Sequence, residues 1–138
     1  MTEPFPRRLP IADKVRLVAE IVGTYVRARR RMRHADIRDV VGELRTWAQR
    51  RGGRPAPTMN DALRLGRAVH KTLGPLPFDS RCLVQSLVLT SLLARRGVTG
   101  TLVIGVRPGD DFAAHAWVEL DGIALLAPGF EFARLAEL

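Results

Sequence analysis

Two side chains in this chain have the types needed for chemistry on a peptide carbonyl. Cys82 is the only cysteine among 138 residues. It falls in the opening turn of a helix expected over the stretch from Ser80 to Arg96. Asp79 and Ser80 are good N-cap types, and Gly97 is a natural stop after the basic last turn of Arg95 and Arg96. A helix N-terminus and a neighbouring cation, here Arg81, favour thiolate over thiol. The commoner use of a lone cysteine is as a small buried hydrophobe. His115 sits in a strand-like run from Ala113 to Leu120. A histidine in reach of the sulfur can take the thiol proton and later return it to a leaving amine. The backbone N–H of Cys82, at a helix start, is a candidate oxyanion donor. The second donor is not legible. Gln85, one turn on, is the nearest amide but points as readily into the core.

These groups are useful only if the surrounding elements hold them. Leu83, Leu87, Val88 and Leu92 recur at helical spacing, so the cysteine-bearing helix is expected to be buried. Thr101 to Arg107 is rich in β-branched residues and reads as a strand. The Asp121-Gly122 pair closes a two-residue hairpin, and Ile123 to Leu126 returns antiparallel. In that register Leu120 pairs with Ile123, which puts His115 opposite Pro128. Glu119 shares the strand face of His115 but lies about 13 Å from it at strand rise. The segment Phe130 to Leu135 is expected to add a short strand or helical turn.

Three further helices precede the cysteine. The first enters at Pro10 and runs to about Arg33, with Val15, Val18, Val22 and Val26 expected as its core stripe. The second spans about Asp36 to Arg50 and carries Ile37, Val40, Val41, Leu44 and Trp47. Trp47 is expected to be a core anchor. The third, capped by Thr58 or Asn60, runs to Leu73 on a stripe of Leu63, Leu65, Val69 and Leu73. His70 is read as a helix-end or surface histidine. The loop from Gly52 to Pro57 divides a helical front, residues 1–55, from a back, residues 58–138, within a single domain.

The net charge of +8 is unevenly spread: +8 on residues 1–55, +4 on 56–97 and −4 on 98–138. An anionic partner for the front is one consequence, centred on Arg29, Arg30, Arg31 and Arg33. A solvated helix face, or cations serving the helix dipole, is the alternative. Little aromatic interleaving accompanies the arginines, which argues against nucleic acid. The 46% hydrophobic content is ordinary for a globular domain, and no run approaches the roughly 20 apolar residues of a membrane helix. One cysteine, with no secretory h-region, suits a reducing cytoplasm. There are no zinc-type ligand clusters, no phosphate-binding glycine motif and no repeats, so neither a metal nor a cofactor is expected.

Four pieces in order then carry a resemblance: Arg-Cys-Leu-x-x-Ser-Leu from Arg81, Leu-x-x-Arg-Arg-Gly ending at Gly97, Leu-Val-Ile-Gly-Val-Arg from Leu102, and Ala-His-Ala-Trp-Val-Glu-x-Asp-Gly from Ala114 to Gly122. Dense from about Phe78 to Gly122, it resembles the leader peptidases of lasso-peptide biosynthesis, which belong to the bacterial transglutaminase-like group. The resemblance implies an α+β fold with N-terminal helices and a transglutaminase-like core, the cysteine helix packed on a small antiparallel sheet. It implies a peptidase that frees a ribosomally made precursor of its leader through a thioester, with Cys82 and His115 catalytic and Trp117 near the substrate. The implied companions are the precursor peptide, a separate leader-recognition protein and an ATP-dependent macrolactam cyclase. Those relatives usually carry a carboxylate about twelve residues after the histidine, where this chain has Ala127. A Cys–His dyad, a stand-in acid such as Glu131, or a weakened adaptor of the same fold are the three ways to read that departure. A transglutaminase-type acyl transfer needs the same intermediate with an amine in place of water.

Overall fold

A computed structural model of the chain describes residues 10–50, 57–74, 81–107, 113–125 and 133–138. Four helices, α1 (Ile11–Met32), α2 (Ile37–Arg50), α3 (Met59–Leu73) and α4 (Arg81–Arg95), precede four strands, β1 (Thr101–Arg107), β2 (Ala113–Leu120), β3 (Ile123–Ala124) and β4 (Ala133–Glu137). The strands form one antiparallel sheet in the order β3-β2-β1-β4. This is the α+β arrangement anticipated above.

The apolar faces of α4 decide the architecture. Leu87, Val88, Leu89, Leu92 and Leu93 are all fully buried, although they cover more than one side of the helix. A helix apolar on several sides must be surrounded. Accordingly α1, α2, α3, β1 and β2 all pack on α4. One core cluster runs through Ile21, Val41, Val69, Leu89, Leu102 and Val118. Gly97 ends α4 in the left-handed region at φ 76°. Its N–H donates to Ala94 O and that of Val98 to Leu93 O, the paired bonds of a Schellman motif. The expected N-caps, Asp79 and Ser80, lie outside the described residues.

Polar ties fix the front helices to α4. The Arg96 guanidinium donates from both terminal nitrogens to the Glu20 carboxylate, at 3.2 Å each, and Arg95 lies 3.5 Å from the same group. Arg95 also lies over the Trp47 ring, 5.9 Å from its centroid. Thr58 opens α3 with a reciprocal capping box to Asp61, as its residue type suggested.

Three expectations change. On α1 the valine stripe faces outward: Val15, Val18, Val22 and Val26 are 62, 46, 45 and 43% exposed. The buried side is Ile21, Thr24 and Ala28. The helix carries two apolar stripes at the same spacing, and the one that includes Thr24 and Ala28 is the buried one. On α3 the buried stripe is Ala62, Leu65, Gly66, Val69 and Leu73, with Leu63 only partly covered. The returning strand β3 is two residues long, and the last element is β4, the strand of the two forms expected there, paired with β1 across a register shift at Ile104/Gly105.

Ser86 is completely buried in α4, and its hydroxyl finds no hydrogen-bond partner among the described residues. A desolvated hydroxyl without a partner is destabilising. Ser86→Ala is therefore expected to raise stability by up to about 1 kcal/mol, read as a higher urea midpoint at unchanged slope. A lower midpoint would show that the hydroxyl has a structural role.

Candidate active site

Cys82 lies in the first turn of α4 and is partly exposed. His115 is the third residue of β2, opposite Gly105 of β1, and is half-buried. The hairpin that sets its position forms as the sequence required. Leu120 pairs with Ile123 and Glu119 with Ala124, and Asp121 and Gly122 both take positive φ, at 51° and 78°. Two successive left-handed residues define the type I′ turn that Asp-Gly favours. Beyond Leu125 the returning chain passes outside the described residues. Ala127, Pro128 and Glu131, the positions bearing on a third catalytic group, are among those left out.

Side chains alternate along β2. Val118 joins the core shared with α4, and a Cβ built on Gly100 would meet Leu93 Cδ1 at 2.9 Å and Val118 Cγ1 at 3.0 Å. His115, Trp117 and Glu119 occupy the other face. The Trp117 indole is stacked beside the imidazole, with ring centroids 6.2 Å apart and planes 21° from parallel. Its Nε1–H donates to Glu119 Oε1 at 3.1 Å. Trp117 is only 4% exposed, so its ring offers no open face. Period-two alternation places His115, Trp117 and Glu119 together, but the indole bond that links two of them depends on rotamers and was not legible in the sequence.

Burial holds the His115 pKa below its ordinary 6.5, because a partly desolvated ring resists charge. A ring kept neutral at neutral pH is a competent proton acceptor. The first turn of α4 and the strand of His115 belong to elements that pack on each other. No group of three metal-ligating side chains occurs among the described residues, and none of the described helices is long and apolar enough to cross a membrane.

The four arginines at the end of α1 do different things. Arg31 pairs with Glu43 of α2, and Arg29 lies 5.8 Å from the Tyr25 ring centroid while donating to its hydroxyl. Arg30 and Arg33 are exposed and form no ion pair among the described residues. His70 is exposed near the end of α3.

A buried helix that carries a lone cysteine at its start, set against a small antiparallel sheet with a histidine on its second strand, defines a class of cysteine-based enzyme folds. The chain matches the family model of the transglutaminase-like superfamily over residues 22–131, and it belongs to that superfamily. The match begins within α1 and includes both Cys82 and His115. Members are in general cysteine-based enzymes of peptidase or acyltransferase type. Searches of curated proteins and of solved structures give no significant match.

Proposed function

We propose that this chain is a cysteine peptidase that cuts the leader from a ribosomally made, lasso-type precursor peptide. The observation that carries the reading is the setting of the one thiol: partly open, in the first turn of the central helix, within a fold of cysteine enzymes. In the proposed reaction His115 takes the Cys82 proton and the sulfur attacks the scissile carbonyl. The backbone N–H of Cys82 donates to the oxyanion. The C–N bond breaks as the imidazolium returns its proton to the leaving amine, and a thioester remains. Water, deprotonated by the same ring, then releases the acid and the thiol.

Arg30 and Arg33, with Arg29 and Arg31 beside them, would face the leader-recognition protein. The macrolactam cyclase would act on the freed core, and a compartment with reduced thiols would suit the nucleophile.

A second reading, an adaptor of this fold that no longer cleaves, is favoured by Ala127, which stands where the resembling peptidases carry a carboxylate. One experiment separates the two. A lasso-type precursor is incubated with its leader-recognition protein and with wild-type or Cys82→Ala chain, and products are weighed by mass spectrometry. Cleavage by wild type that disappears in Cys82→Ala supports the peptidase. Equal product from both, or from neither, removes it. A product carrying an added amine in place of water would convert the assignment to acyl transfer.

A further inference from the structure

Between α1 and α3, at the far end of α4 from Cys82, an open groove of about 1190 Å³ runs along the surface. Its floor is apolar, with Leu17, Val18 and Ala68 lining it over the buried Ile21, Leu65 and Leu93. Its rims are cationic. Arg64, Arg67 and Lys71 stand on α3 and Lys14 and Arg16 on α1; all five are exposed, and none forms an ion pair among the described residues.

Among the described residues the lining also holds three carboxylates: Asp13, Glu20 and Asp61. Glu20 is engaged by Arg96 and Arg95, and Asp61 closes the helix cap on Thr58. That leaves Asp13 against five cations. The surface therefore suits an occupant with apolar side chains to cover the floor and carboxylates to meet both rims. A nucleic acid would satisfy the rims but has no use for an aliphatic floor, and among the described residues no aromatic ring lines the groove for base stacking.

We propose that this groove is an exosite for an acidic, apolar-containing segment of the peptide substrate. The inference rests on the peptidase reading and adds where the substrate is held away from the bond that is cut. Leu93 lies eleven residues along α4 from Cys82, about 16 Å at helical rise. An extended chain needs about five residues to cover that distance. A segment seated in the groove is thus separated from the scissile bond by at least that many residues. Because α1 and α3, which bear the rims, both pack on the helix that carries the nucleophile, the spacing between groove and nucleophile is fixed.

The test uses Cys82→Ala protein, so binding is read without turnover. The probes are a short fluorescein-labelled peptide of repeating Glu-Leu-Leu-Glu and the labelled precursor of the cleavage assay, both followed by anisotropy. Saturable binding of both is expected, weakening with added salt. The triple variant Arg64→Glu, Arg67→Glu, Lys71→Glu should bind each about tenfold more weakly or worse. These positions are exposed, and circular dichroism checks that the fold is kept. An equal change of charge on α2, in Arg38→Glu, Arg45→Glu, Arg50→Glu, should leave affinity within about twofold.

Equal losses from both triples would overturn the exosite, since attraction would then be general. Equally tight binding of a repeating Glu-Gly peptide, or of single-stranded DNA of the same length, would overturn it too, because the floor would contribute nothing. If the Glu-Leu peptide is lost in the groove triple while the precursor is not, the occupant belongs to another protein and the substrate assignment falls. A failed cleavage assay with groove binding intact removes the reaction and not the groove.

Discussion

His115→Ala is expected to lower precursor cleavage by about two to four powers of ten, the range over which a positioned general base acts. The same change should slow alkylation of the thiol by iodoacetamide at pH 7 by about tenfold or more, since an unassisted thiol is only a few per cent ionised there. Because the chain has one cysteine, intact mass reads that rate directly. Equal alkylation rates in the variant and the wild type would end the pairing of the two residues.

The pH dependence has a definite sign. Burial lowers the pKa of His115, so the ring remains the neutral base at pH 6.5, where an ordinary histidine is half protonated. The acid limb of cleavage should lie below that value. Stability follows the same shift. As pH falls through 6.5 the unfolded chain takes up the proton before the folded one does. The fold is therefore destabilised on the way down to the folded pKa, and this group adds no slope below it. Urea midpoints at several pH values should show a shallower acid-side slope in His115→Ala than in wild type.

Adjacent residues on α1 should behave in opposite ways. Ile21 is fully buried and Val22 is 45% exposed. Ile21→Ala is expected to cost about 2–5 kcal/mol, a large part of the roughly 5–15 kcal/mol that a domain has. Val22→Ala should change stability by no more than about 0.5 kcal/mol, helped by the better helix propensity of alanine. Chemical denaturation of the two variants tests the rotation of α1 about its own axis. Similar losses from both would mean that the outward valines are covered.

That contrast shows what the sequence could and could not reveal. Helix α1 was legible from its period, and its ends were close to those anticipated. Its orientation was not, because Val15-Val18-Val22-Val26 and Leu17-Ile21-Thr24-Ala28 both recur at helical spacing. Only packing in the folded domain selects between them, and a hydropathy count undervalues the Thr24 and Ala28 of the buried stripe. Local signals fared better. Asp121-Gly122 fixed the hairpin register, Gly97 ended α4 and Thr58 opened α3, since each depends on a few neighbouring bonds. For the site, residue types pointed to Cys82 and His115, while the distance between them depends on how a helix meets a sheet. The groove needs two helices far apart in sequence to lie side by side, so no motif announces it.

The central position of α4 constrains how such an enzyme can change. The strut on which the other helices and the two middle strands lean also carries the proposed nucleophile at its tip. Its fifteen residues answer to two selections at once. Adjusting the sulfur by redesigning its helix would weaken the whole domain, so new specificities are more accessible through the strands and outer helices than through the element that bears the reaction.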